Sequence, residues 1–175
     1  MDPIKKRRTT VVKKPLIALA VLAFIVAALL AIGRKGISTE ILINAPIDRV
    51  WAELTDFSSY PDWNPFIKKL IGSFEQGKTI EVRIQPEGGD PFVFRPRVLL
   101  HERNRMLQWE GRLLLPGIFT GRHSFELVTV GPGKTKLVQK EDFNGILVPF
   151  INLDSTLKGF NAMNRELKKR IEGRP

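Results

Sequence analysis

Leu16 to Ile32 reads LIALAVLAFIVAALLAI, 17 residues without one polar side chain. As a helix, at about 1.5 Å per residue, the run reaches roughly 26 Å, close to the shortest length that crosses a bilayer core. A helix apolar on every side has no solvent face, so this segment belongs in lipid or is removed. Pro15 stands at its start, where a missing N–H does no harm. A cleaved signal peptide is the competing reading, and Ala31-Ile32-Gly33 is an imperfect small-x-small site for it. The apolar core is longer than a signal peptide needs, so an uncleaved anchor is expected.

Charge orients it. Lys5, Lys6, Arg7, Arg8, Lys13 and Lys14 precede the run against Asp2 alone, while Arg34, Lys35 and Arg49 come after it. By the positive-inside rule the N-terminus is cytoplasmic and the remainder extracytoplasmic. Residues 1–14 thus hold +5 of the net charge of +10. Such a tail suits anionic lipid head groups or nucleic acid, and the apolar run beside it decides for lipid and against nucleic acid. Gly33 to Gly36 is the only linker; four extended residues reach roughly 13 Å, which keeps the domain near the membrane surface. The expected division is a basic tail over 1–14, a transmembrane helix over 15–33 and one domain over 34–175.

Within that domain the stretch Ser38–Pro65 organises the rest of the chain. Thr39 to Asn44 alternates and is rich in β-branched residues, a strand pattern that Ala45-Pro46 stops. Asp48 is a candidate cap for a short helix whose apolar face is Ile47, Val50, Trp51 and Leu54. Asp56 to Pro65 then sets Phe57, Tyr60 and Trp63 in a turn-rich segment containing two prolines, Pro61 and Pro65.

Three strand pairs are expected next: Ile67–Phe74 with Thr79–Gln85, Phe92–His101 with Arg105–Leu113, and Phe119–Val130 with Thr135–Phe143 about Gly131-Pro132-Gly133. Phe150, Leu153, Leu157, Phe160, Asn164, Leu167 and Ile171 recur at spacings of three and four, the stripe of a long helix starting near Pro149. Lys168, Lys169 and Arg170 suit that helix's C-terminal dipole better than a nucleic-acid patch.

The sequence A-P, V-W, L-T-D-F, Y-P-x-W-N-P resembles the opening of the polyketide cyclase/dehydrase branch of the START-like (SRPBCC) superfamily. Leu107-x-Trp109-x-Gly111, Gly121-x-His123-x-Phe125, Glu141-x-Phe143-x-Gly145-x-Leu147-x-Pro149 and Met163-Asn164…Leu167-Lys168 are similar to its later landmarks, so the likeness spans roughly Ile37 to Glu172. The resemblance implies an α+β helix-grip fold: a curved antiparallel sheet around a long C-terminal helix, with an apolar cavity between them. Here one transmembrane helix precedes it. Fold does not imply function, so the family's name does not select a ligand.

Candidate chemistry is sparse. Phe119, Gly121, His123, Phe125 and Leu127 share one face of their strand, and Leu137, Gln139, Glu141 and Phe143 one face of the next. A three-residue turn would set His123 opposite Glu141, and a four-residue turn would offset them. An inward carboxylate–imidazole pair can transfer protons, or can satisfy itself inside a structural core. Ser124 is no partner for His123, because strand neighbours face opposite ways. With two histidines, no cysteine and no HExxH spacing, neither a metal site nor thiol chemistry is expected, and no cofactor is implied. Gly88-Gly89 lacks a phosphate-loop context.

The aromatics Trp51, Phe57, Trp63, Phe66, Phe94, Trp109, Phe125, Phe143, Phe150 and Phe160 are individually core candidates and collectively a surplus that suits a lined cavity. The expected ligand-contacting set is Trp63, Phe94, Trp109, His123, Phe125, Glu141, Phe143, Leu157 and Phe160. Three functions fit: a membrane-anchored binder of a lipid, isoprenoid or polyketide-like molecule; a cyclase/dehydratase with His123 and Glu141 as acid and base; or an interaction module whose cavity is filled by its own side chains.

Overall fold

A computed structural model describes residues 13–173; residues 1–12 of the basic tail lie outside that range. Helix α1 (Lys13–Ile32) is long and apolar enough to cross a membrane, and none of its apolar window is buried in the protein. The four-residue linker expected after it is in fact one residue. Strand β1 (Arg34–Ile43) begins directly beyond Gly33 and absorbs Gly36 into its ladder. The Gly33 carbonyl accepts a hydrogen bond from Gly145 N–H at 2.9 Å, so helix and domain join at a bonded corner.

The remaining elements are α2 (Ile47–Thr55), α3 (Tyr60–Trp63), β2 (Ile67–Ile71), β3 (Glu81–Ile84), β4 (Phe92–Phe94), β5 (Arg97–Glu102), β6 (Met106–Leu113), β7 (Phe119–Gly131), β8 (Lys134–Asn144) and α4 (Asp154–Glu172). All ladders are antiparallel. Five strands run in the order β1-β8-β7-β6-β5 and three in the order β2-β3-β4. A seam joins the two sheets: Ile80 N–H donates to Pro96 O at 3.0 Å, and Val98 N–H to Lys78 O at 2.8 Å. The result is an α+β helix-grip fold, with α4 laid across the inner face of a curved sheet.

Two expectations need correction here. Phe92–His101 is not one strand, because Pro96 has no ladder donor; β4 pairs with β3, β5 with β6, and the break is where the sheet bends. Asp48 does not cap α2 either. The N-cap is Pro46, and Asp48 lies inside the first turn, where its charge still favours the positive end of the helix.

The motif that carries the family likeness is a structural corner. Tyr60 is fully buried, and its hydroxyl donates to Leu54 O at 2.6 Å, fixing the end of α2; burial holds its pKa far above the usual phenol range. Trp63 Nε1 donates to Ser59 Oγ at 3.1 Å. Asn64 Oδ1 accepts from both Phe66 N–H and Ile67 N–H at 2.9 Å, which turns the chain into β2.

The core lies between α4 and the sheet. Phe160, Met163, Leu167 and Ile171 are buried against a layer that includes Leu107, Trp109, Phe125 and Leu137. Asn164 is the polar member of the stripe, its amide donating to Thr39 Oγ1 at 2.8 Å. Gly159 is required by contact: a Cβ there would stand 2.2 Å from the Phe66 ring. Phe150 departs from the expected stripe. It precedes α4 and is 74% exposed.

Candidate functional site

The β7–β8 hairpin positions the polar pair. Its turn is Pro132-Gly133, and an irregularity between Thr129 and Gly131 adds one residue, so the ladder beyond it pairs His123 with Glu141. His123 is buried. Trp109 stacks on its ring at 4.7 Å between centroids and 7° between planes, and Phe125 and Phe160 meet it edge-on at 4.6 and 5.0 Å. Its Nδ1 is 3.8 Å from Glu141 Oε2, inside ion-pair range and beyond a hydrogen bond. On the other side Gln139 Nε2 stands 3.5 Å from His123 Nε2, and the Gln139 carbonyl oxygen has no protein partner.

Beside the pair opens a cavity of about 440 Å³. Phe66, Ile84, Phe92 and Phe94 line one side, Phe119 and Phe143 the other, and Ile151, Leu153 and Thr156 close it from the segment leading into α4. Its volume falls in the range of small-molecule sites. Glu141 is the carboxylate in the wall, with 16% of its side chain exposed. Gly121 makes room for it: a Cβ there would approach Glu141 Oε1 to 2.9 Å and the Phe143 ring to 3.2 Å.

Of the residues expected to touch ligand, Phe94, Glu141 and Phe143 lie in this wall. Trp109, His123, Phe125 and Phe160 are packed together behind it in the core, and Trp63 belongs to the α2–α3 corner. Leu157 is half-buried on α4 and is not in the wall. The body of α4 packs straight onto the sheet, so the helix contributes only Thr156 and its approach to the cavity. Ile84, Phe92 and Phe119 were absent from the expected set, although each sits on an alternating strand. Their role depends on how the β2–β4 sheet curls over β7 and β8. Among the described residues no cluster of His, Asp and Glu could hold a metal ion.

Residues 34–172 match the family described as polyketide cyclase/dehydrase and lipid transport. The chain belongs to that family. Solved structures agree in fold with this member of the polyketide cyclase/dehydrase family. A START superfamily protein from Mycobacterium smegmatis is 21% identical, with a TM-score of 0.61 over 79% of this chain and 97% of its own. An aromatase/cyclase from a Streptomyces species is 20% identical, with a TM-score of 0.58 over 81% and 95%. Norcoclaurine synthase from Thalictrum flavum, solved with dopamine and hydroxybenzaldehyde, is 16% identical, with a TM-score of 0.61 over 81% and 88%. At these identities the likeness establishes the fold alone. No curated protein matches the chain.

Proposed function

We propose that this polyketide cyclase/dehydrase family protein is a membrane-anchored binder of a hydrophobic small molecule, of lipid, isoprenoid or polyketide type. On this reading α1 is the anchor, the domain begins at Arg34, and the ligand occupies the cavity against Glu141. The observation that carries it is the cavity itself: a mostly aromatic and aliphatic wall with one carboxylate, Glu141, and two guanidinium groups, Arg95 and Arg112, the composition of a site that takes an apolar body with a polar end. The family's description, which includes lipid transport, supports the same class of ligand. Native mass spectrometry of gently extracted full-length protein tests it. Bound apolar molecules should be released from the wild type and reduced in Gly121→Leu, whose side chain would fill the space before Glu141. Ligand-free protein throughout, with no uptake from lipid extracts, would sink the reading.

A second reading is a cyclase or dehydratase, favoured by the Glu141 carboxylate in the cavity wall with His123 Nδ1 3.8 Å behind it. In that arrangement Glu141 is the group able to touch a substrate, accepting or returning a proton. His123, walled in by Trp109, Phe125 and Phe160, is a positioning residue. Turnover lost in Glu141→Gln with binding retained would establish this version. Retained ligand that is chemically unchanged by the wild type would return the site to binding alone.

A further inference from the structure

Apolar side chains are exposed at one end of the domain. Leu113 at the end of β6, and Leu114 and Leu115 in the β6–β7 connection, are 50%, 83% and 69% exposed; Leu147 and Phe150, 39% and 74% exposed, lie before α4. Leu114 has φ of +60°, a conformation that a leucine rarely adopts. The backbone is thus held in an unfavourable region while presenting a large apolar side chain to the outside, a combination that points to a use rather than to packing.

These two segments are fastened to each other and to the end of α1. Ile146 N–H donates to Gly117 O at 2.9 Å and Leu147 N–H to Ile118 O at 3.2 Å. Gly145 N–H bonds Gly33 O, and Lys35 Nζ donates to Pro149 O and Ile151 O at 3.1 and 2.7 Å. Leu30 of α1 lies against Gly117. The exposed residues therefore surround the point where α1 meets the domain, with Arg34 and Lys35 among them. Leu113 is also part of the cavity wall, as are the half-exposed Phe92 and Val93.

We propose that Leu114, Leu115, Leu147 and Phe150 form a rim that inserts into the bilayer interface around α1, seating the cavity mouth at Leu113 against the membrane so that ligand passes between lipid and cavity without crossing water. The occupant is a lipid surface because the rim is continuous with a helix that is itself membrane-length. An apolar collar carrying cationic residues matches acyl chains beneath anionic head groups. This inference rests on the reading of α1 as the anchor.

The chain has no cysteine, so single-cysteine variants give unique labels. Full-length protein carrying an environment-sensitive fluorophore at Leu114→Cys, Phe150→Cys, Lys134→Cys or Phe24→Cys is reconstituted into phosphatidylcholine–phosphatidylglycerol vesicles containing nitroxide-quencher lipids. Lys134 opens β8 just beyond the far end of the β1–β8 ladder at Thr135, about 30 Å from Arg34 by strand rise. The labels at Leu114 and Phe150 should be quenched at least about twofold more than that at Lys134, as expected of side chains lying several ångströms into the interface. Quenching at Phe24 with none at Leu114 and Phe150 overturns the rim and leaves the anchor standing. Quenching at none of the four overturns both. A blue shift at Leu114 that depends on protein concentration in detergent, without lipid quenching, assigns the rim to a second copy of the chain and also overturns it.

Discussion

At the scale of single residues, His123 and Glu141 face each other from different surroundings, one inside the core and one in the cavity wall. Their facing atoms are 3.8 Å apart without a hydrogen bond, and Glu141 keeps access to the cavity. A double-mutant cycle should therefore give a coupling energy below about 1 kcal/mol. A coupling near ~3 kcal/mol would mean that the pair closes into a buried bond. His123→Ala alone should cost about 2–4 kcal/mol by chemical denaturation, because it opens a hole between Trp109, Phe125 and Phe160. Gly159 is the sharper steric test. Its added Cβ would meet a rigid, buried Phe66 ring at 2.2 Å, so Gly159→Ala should destabilise by roughly 1–3 kcal/mol. Phe66→Leu in the same chain should recover part of that loss, and a neutral single variant would disprove the contact.

At the scale of elements, α4 is held to β1 by apolar burial and by a polar clasp at its C-terminal end. Phe160 is 1% exposed and touches both Phe66 and His123, so Phe160→Ala should cost about 3–5 kcal/mol with binding changed only through stability. In the clasp, Glu172 accepts from Lys168 Nζ at 2.6 Å and from Asn44 N–H at 2.7 Å, while Lys168 also donates to Leu42 O. The Lys168 hydrogen bond, then that from Asn44, holds the Glu172 carboxyl below its ordinary value of 4.5, against a smaller effect of burial. A depressed carboxylate contributes stability that is fully present above its unfolded pKa and is lost as pH falls through the folded one. The melting temperatures of wild type and Glu172→Gln should therefore differ at neutral pH and converge below about pH 4. A difference that stays constant down to about pH 3 would remove the clasp from the account of acid stability.

At the scale of the whole molecule, a helix of membrane-crossing length leads without slack into a domain that holds a cavity of about 440 Å³. The charge distribution predicts an extracytoplasmic domain. A C-terminal reporter active only outside the cytoplasm should register in cells, and moving four basic residues from before α1 to just beyond it should invert or mix the orientation. A reporter active only in the cytoplasm, or a mature N-terminus at Arg34, would contradict this.

The elements themselves were legible because their signals are local. The alternation in β7 and β8, the stripe on α4 from Phe160 to Ile171, and the uninterrupted apolar run of α1 each follow from a backbone period that the residue order carries directly. The Y-P-x-W-N-P corner was equally readable, since its hydrogen bonds join residues only a few positions apart. The wall of the cavity was not. Inward direction was correct for Trp109, Phe125 and Phe160, yet whether an inward aromatic meets space or another ring depends on how two sheets close over it. Pro96 hinted at the break between β4 and β5, but the curl that brings Phe92 and Phe94 toward Phe119 and Phe143 is long-range packing. The exposure of Leu114 and Phe150 was hidden for the same reason: an apolar residue reads as core until the fold leaves it outside, beside a helix long and apolar enough to cross a membrane.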